Sequence, residues 1–416
     1  MASTDLKHTF SSGNRKTWTF SAWIKLNGFS GTGFFAAYAS GTNRSYFGVN
    51  GSNQLLLYAQ QSGSDTCSVY STQVFRDPSA WYHIMCVCDT TQSTSTNRVK
   101  FYVNGSQADV TFSHTPDQNE DLYLNSAVEH SIGSRDDGST YFDGSMTHVH
   151  FTDGYAYTPS TFGETDSTSG IWKPKTAPSV TYGTNGFFLK FENSGAMGTD
   201  SSGNSNTFTT SGTITQNVDT PSNVFATLNS IYQAKYQPTF STGNLTATAP
   251  NSGEYYPAFS TLGIETGKFY MEYEIGAAGS FHVGVSAQVD TDTSFPYNDR
   301  YLGETSKSVG VAGSNGSSYI AGSATSYGSS YTSGDILGLA LDMTNKKLYV
   351  SKNGTFYNSG NPASGSNGID ISGILSSGDY AFFGHSCYGG SGSRTIEANF
   401  GQGFFGTTAV ASANAD

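Results

Sequence analysis

Apolar and polar residues alternate two by two along much of this chain, in short runs separated by Gly, Ser, Thr and Asn. Residues 334–356 show the pattern most clearly. Leu337, Leu339 and Leu341 fall on one face of an extended strand, and Ile336, Gly338 and Ala340 on the other, because successive side chains point to opposite faces. A strand apolar on both faces predicts burial on both sides, inside a packed sheet. The chain then turns at residues 343–346 and returns as Lys347-Leu348-Tyr349-Val350-Ser351-Lys352 to Asn353-Gly354. That last dipeptide accepts the positive φ of a tight hairpin. Residues 81–105 repeat the logic: an apolar run ending in Asp89, a polar turn, and a run closing on Asn104-Gly105. Residues 17–26 read as a half-buried strand, with Trp18, Phe20 and Ala22 on one face and Thr17, Thr19, Ser21 and Trp23 on the other. Further strands are predicted at 34–38, 46–50, 55–58, 146–151 and 309–312. The periodicity predicts an all-β protein built as two antiparallel β-sandwiches in tandem.

Composition sharpens this. A length of 416 residues suits two or three domains. Charged residues make up only 12% and aromatic residues 14%, with 49 Gly, which fits short strands joined by polar turns around an aromatic core. It does not fit a helical protein, and Tyr and Phe at strand spacing argue against disorder. A formal net charge of −12 repels phosphate backbones, so no nucleic-acid partner is expected. No apolar run is long enough for a membrane-spanning helix, so no membrane insertion is expected. Residues 1–5 lack the basic and apolar regions of a secretory signal. Cys86 and Cys88 share a strand face and cannot bond each other; with Cys67 and Cys387 they read as reduced core thiols. Reduced thiols suit folding in a cytosol, whereas the Ser/Thr-rich surface suits an exterior.

Several stretches resemble known families. Gly334-Asp335-Ile336 followed by Leu348-Tyr349-Val350-Ser351-Lys352-Asn353-Gly354 resembles the central hairpin of a SPRY domain. Residues 267–275 and 282–286 resemble its early strands, and 380–384 and 396–401 its last ones. The Trp23 strand, the 81–105 hairpin, Ile132-Gly133 and Phe142-Asp143-Gly144 resemble the laminin-G-like, or concanavalin A-like, jelly roll over roughly the first half of the chain. Such domains open with a strand ahead of the Trp18 region, where only about a dozen residues stand here. Residues 187–191, followed by Asp200-Ser201-Ser202-Gly203-Asn204, look like that opening, which implies a permuted jelly roll with residues 187–215 returning as an edge strand. The implied layout is a jelly roll at 1–215, a linker at 216–227, a SPRY-like sandwich at 228–405 and a loose tail at 406–416. Residues 151–175 and 219–229 are similar to a strap and a connector in virion proteins of tailed bacteriophages, where the same jelly roll precedes a SPRY-like domain.

Candidate sites divide by chemistry. Tyr297, Tyr301, Tyr319, Tyr327, Tyr331 and Tyr388 lie among Ser, Gly and Asn, a mixture that gives rigid contact area with adaptable hydrogen bonds. They are the ligand-binding candidates, against a competing reading in which several cap the core or pack subunits together. Asp136, Asp137 and Asp143 could hold calcium, but loop aspartates are commonplace, and no cofactor is expected. His148 and His150 share a face without a clear third metal ligand and read as a wet strand face. Glu272 and Glu274 share a face, but jelly-roll glucanases use a Glu-x-Asp-x-x-Glu pattern whose third carboxylate is missing here, so no catalytic residue is expected.

The resemblance to phage proteins implies a non-enzymatic bacteriophage virion protein. Its expected setting is the particle exterior after assembly in the host cytoplasm. The expected role is a tail fibre or spike-type adhesin, lectin-like in its weak multivalent host attachment. Expected partners are a host surface glycan or protein, other virion proteins, and further copies of the chain as a homo-oligomer. The alternatives are a capsid-decorating or head-fibre protein with a mainly architectural role and, disfavoured by the carboxylate pattern, a polysaccharide depolymerase.

Overall fold

Strand Thr17–Leu26 sends Trp18, Phe20, Ala22 and Ile24 into the first core, as its alternation requires. The computed structural model describes residues 4–28, 31–135, 140–216, 218–232, 235–276, 280–287, 300–390 and 392–402. The protein is all-β, in antiparallel sheets. Helical turns among the described residues are short 3-10 turns at Ser95–Asn97, Pro159–Thr161, Tyr357–Ser359 and Ser372–Ile374. The chain divides into two units, Met1–Val224 and Phe225–Asp416.

The first unit packs two sheets face to face. One holds, in spatial order, Val110–His114, Ser64–Val74, Gln54–Gln61, Asn43–Val49, Thr32–Ser40, Glu129–Ile132, Asp5–Thr9 and Thr209–Ser211. The other holds Phe187–Leu189, Gly144–Asp153, Thr17–Leu26, Trp81–Asp89, Val99–Val103 and Ser106–Gln107. Phe35, Phe47, Phe101, Phe151 and Phe187 meet between them, each fully buried. Burial of such a ring contributes about 1.5–3 kcal/mol.

Two expectations change here. The strand thought to be missing ahead of Trp18 is present: Asp5–Thr9 pairs with Glu129–Ile132 on one side and Thr209–Ser211 on the other. Only Leu6 within it is apolar, so periodicity gave it no signal. Residues 187–215 do return to the edges of the first unit: Phe187–Leu189 forms the edge of the opposite sheet, against Val149–Phe151, and Thr209–Ser211 the edge beside Asp5–Thr9. The Thr17–Leu26 strand is also more deeply enclosed than its half-polar pattern implies. Trp23 and Lys25, on the outward face, are 3% and 1% exposed because the strap and connector cover them.

The second unit has the same two-layer plan. One sheet runs Thr239–Ser241, Thr246–Ala249, Arg394–Asn399, Lys268–Ile275, Ile336–Asp342, Lys347–Lys352 and Thr355–Phe356, with Ile369–Asp370 also paired to Lys347–Lys352. The other runs Tyr255–Phe259, Ala381–Tyr388, Ser280–Ala287, Ser308–Ala312, Ser318–Ile320 and Ser323–Thr325. Leu337, Leu339 and Leu341 are buried in the core between them. The hairpin turns at Asn353 and Gly354 with φ of 49° and 82°. Asn353 also accepts the Ile336 N–H at 2.8 Å and donates to Asp335, so the turn side chain locks the strand ahead of it. All four cysteines are buried free thiols. The tail at 406–416 lies outside the described residues.

Candidate functional site

Each unit carries an aromatic cluster on the outward face of its six-stranded sheet. In the second unit the inward positions Phe281, Val283 and Val285 enter the core, which leaves His282, Gly284 and Ser286 facing out. Tyr388 and Tyr255 stand opposite each other on neighbouring strands, with ring centres 5.0 Å apart. Tyr319 faces outward on a third strand, in register with Gly310. The segment 300–305 then returns across this face. It is fixed by Leu302 N–H donating to Ser386 Oγ at 2.8 Å and by Gly303 N–H donating to Ser308 Oγ at 2.9 Å. A side chain at Gly310 would collide with the Leu302 carbonyl, so glycine there lets the segment lie flat.

That return brings Tyr301 over His282, stacked at 4.6 Å and 26°. Tyr319 meets both rings edge-on, at 5.6 Å from His282 and 5.5 Å from Tyr301. Tyr255 closes the group at 5.7 Å from Tyr301. His282 is 7% exposed, and burial pushes its imidazole down to about 4, so it is neutral at physiological pH. It stacks under Tyr301 as a neutral ring. Tyr388 is 37% exposed, and the group presents a rigid aromatic platform to solvent.

Tyr301, Tyr319 and Tyr388 thus come together, and Tyr255 and His282 join them. Sequence reading missed the last two. The signal was the small outward set His282, Gly284 and Ser286, which leaves room for a layer above the sheet. Tyr327 and Tyr331 are core residues, at 8% and 5% exposed. The Tyr331 hydroxyl donates to the carbonyls of Phe281 and Val311, at 3.0 and 2.8 Å. Tyr327 packs in the same core, where burial raises its phenol to about 12. A Ser/Gly-rich context cannot distinguish a tyrosine that folds inward from one that stays out. Tyr297 lies outside the described residues.

In the first unit the outward positions of the Thr17–Leu26 and Trp81–Asp89 strands pair Trp23 with His83 and Lys25 with Trp81. Trp172 of the strap and Asp219, Pro221 and Val224 of the connector lie against them. The short hairpin of Gly163–Thr165 and Trp172–Pro174 lays Trp172 over His83, whose ring is also stacked on Trp23 at 5.1 Å. The Trp172 indole N–H donates to His83 Nδ1 at 3.0 Å, which leaves the Nε2–H of a neutral ring to donate to Ser21 Oγ at 2.8 Å. Burial pushes His83 down to about 3. Asp219 of the connector makes a buried ion pair with Lys25 at 2.7 Å and accepts the Trp81 indole N–H at 2.9 Å.

Other candidates resolve differently. His150 is not on a wet face: it is 1% exposed, stacked on Phe188 at 3.9 Å and bonded to the Tyr182 hydroxyl at 2.9 Å. His148 sits at an irregularity of the same strand with φ of 48°. Asp143 is half-buried and its carboxyl is pushed up by that burial. Asp136 and Asp137 lie outside the described residues. Among the described residues no group of three or more His, Cys, Asp or Glu side chains is placed to hold a metal. Glu272 is 3% exposed and accepts the Tyr270 hydroxyl at 2.7 Å, so it is shut away from any substrate. Glu274 pairs across the sheet with Glu397, a juxtaposition that sequence spacing could not show.

Residues 2–161 match the family model of the concanavalin A-like lectin/glucanases superfamily, and residues 268–360 match that of the SPRY domain. The chain therefore contains a concanavalin A-like domain and a SPRY domain. Among solved structures it is similar to the SPRY domain of human HERC1, at 17% identity and a TM-score of 0.31, covering 40% of this chain and 93% of that one. It is similar to another human SPRY domain at 18% identity and a TM-score of 0.30, covering 40% and 98%. It is also similar to the heptameric SAP-like pentraxin of Limulus polyphemus, at 17% identity and a TM-score of 0.28, covering 37% and 71%. No curated protein matches the chain.

Proposed function

We propose that the chain is a non-enzymatic adhesin on the exterior of a tailed-bacteriophage particle, of tail fibre or spike type, contacting a host surface glycan or protein. One observation carries the reading: Tyr255, Tyr301, Tyr319 and Tyr388 gather around a neutral His282 on an outward sheet face. Such a platform offers contact area at low cost in side-chain entropy. Its polar atoms are phenol hydroxyls, each able to add a hydrogen bond of about 0.5–1.5 kcal/mol. Weak contacts of this size suffice where many copies act together, since multivalency raises avidity by about 10²–10⁴. The particle setting is supported by the resemblance of residues 151–175 and 219–229 to segments of phage virion proteins. The non-enzymatic reading is supported by the burial of Glu272 and by the two binding-type domains.

The test is binding of the full chain to host cells and to a glycan array, with Tyr388→Ala and Tyr319→Ala as variants. Loss of binding in both, with folding intact, is the expected result. Unchanged binding overturns the assignment of the platform. Release of reducing sugar from host polysaccharide would overturn the non-enzymatic reading. Antibody labelling of particles in the electron microscope separates a tail location from a head-decorating one.

A further inference from the structure

Lys25 and Asp219 stand 194 residues apart in the chain and meet inside the first unit. Lys25 Nζ lies 2.7 Å from Asp219 Oδ2, and the two side chains are only 1% and 5% exposed. The other carboxylate oxygen, Oδ1, accepts the Trp81 indole N–H at 2.9 Å. Both residues are held by their backbones. Lys25 is paired with Ser145 on one side and Trp81 on the other, within the six-stranded sheet. Asp219 leads into a turn that Thr220 and Asn223 close with a hydrogen bond in each direction. Trp81 also lines, with Trp23 and Trp172, a pocket of about 350 Å³.

We propose that Lys25 and Asp219 condense into an intramolecular isopeptide bond that fastens the connector to the jelly roll. Nζ first passes a proton to Oδ2 along their hydrogen bond, which replaces two buried charges by a neutral amine and a carboxylic acid. The nitrogen lone pair then forms a bond to Cγ. The displaced electron pair collects on Oδ1, where the Trp81 N–H already points and stabilises it. The Cγ–Oδ2 bond breaks, and Oδ2 leaves as water with its own proton and one more from Nζ. The amide nitrogen keeps one hydrogen, and the pair carries no net charge before or after. No oxidant, metal or activated ester takes part.

Positioning supplies the rate. An amine and a carboxyl group held in contact react as though at a concentration of about 10⁵–10⁸ M. The water set free has a way out through the tryptophan-lined pocket beside Trp81. The product amide hydrolyses slowly even in water, so the bond accumulates once formed. Tension reaching Asp219 along the chain then passes directly to the Lys25 strand and bypasses the residues between them. The bond is independent of the tyrosine platform, and either can fail without the other.

The experiment is intact-mass spectrometry of the denatured full chain after days of incubation in the folded state, followed by a tryptic map. The expected mass is that of the sequence less one water. The map should join residues 17–44 to residues 191–235, uncut at Lys25. Lys25→Met should restore the full mass, whereas dehydration at an Asp-Gly step such as Asp143-Gly144 would persist in it. On a denaturing gel the wild-type chain, closed into a loop, should run ahead of the Lys25→Met chain. Trp81→Phe keeps a ring but removes the N–H and should slow appearance of the bond about 10²–10³-fold, an effect that a lasting ion pair cannot show. If these variants do not fold, the wild-type map decides alone. The proposal is overturned by a full sequence mass in the incubated protein, by separate linear peptides carrying Lys25 and Asp219, or by a loss of water that maps elsewhere.

Discussion

The tryptophan cluster of the first unit and the tyrosine cluster of the second occupy the same kind of place, the outward face of a six-stranded sheet, and are finished in opposite ways. In the first, later segments come back and clamp the rings. Trp172 and Trp81 have their N–H groups taken by His83 and Asp219, and a buried ion pair pins the connector. In the second, residues 300–305 return across the sheet, held by the Ser386 and Ser308 hydroxyls, and Tyr388 stays at the surface. An indole N–H buried with a carboxylate becomes part of the fold. A phenol hydroxyl left at the rim stays available to another molecule. Similar aromatic content is thus enclosed in one unit and, on the proposed reading, serves contact in the other.

Four measurements sharpen or break this contrast. All four tryptophans lie in Met1–Val224, so tryptophan fluorescence during urea unfolding reports the first unit by itself. The largest effect is expected from Asp219→Ala, which removes the carboxylate that pairs with the buried Lys25 and accepts the Trp81 indole N–H. Loss of one member of such a pair costs about 3–5 kcal/mol. A loss below about 1 kcal/mol would show that the connector is not what holds the tryptophans.

Acid comes next. His83 and His130 are pushed down to about 3 in the first unit by burial, and His150 well below its ordinary value. The unfolded chain takes up protons near 6.5, before the folded one does. The stability these residues contribute is therefore full above about pH 6.5 and is lost as pH falls toward 3, by up to about 1.4 kcal/mol per pH unit for each histidine. The second unit has His385 at about 3 and His282 at about 4. Tryptophan fluorescence should therefore show the steeper acid dependence, compared with tyrosine-weighted near-ultraviolet dichroism. Equal slopes would remove the asymmetry.

Within the second unit, Tyr331→Phe removes a hydroxyl from two backbone carbonyls and should cost about 1–2 kcal/mol in thermal unfolding. Tyr388→Ala, at the open platform, should change stability by less than about 0.5 kcal/mol while abolishing binding. If the two variants destabilise equally, the platform belongs to the core and not to a contact surface.

Where the sequence could be read, the reason is periodicity. Leu337, Leu339 and Leu341 announce an inward face because nothing but a sheet interior explains them. Asn353-Gly354 announces a turn because few other residues accept its φ values. Asp5–Thr9 escaped because a strand with one apolar residue gives no alternation. The site was legible only in part. Tyr301, Tyr319 and Tyr388 were nominated with Tyr327 and Tyr331, since all share a Ser/Gly setting, and only tertiary packing decides which ring turns inward. The tryptophan pocket was not legible at all. Trp23, Trp81 and Trp172 are joined by register across the sheet and by a strap that returns from far along the chain, and local spacing carries neither.

The glycine at position 310 has a wider consequence. By letting residues 300–305 rest on a completed sheet, it separates the layer that meets the outside from the layer that keeps the sandwich folded. On the reading proposed above, substitutions at Tyr301 or Tyr319 would retune which surface is recognised while the valines beneath them stay as they are. A sheet face arranged in this way lets recognition change quickly on a scaffold that does not need to change with it.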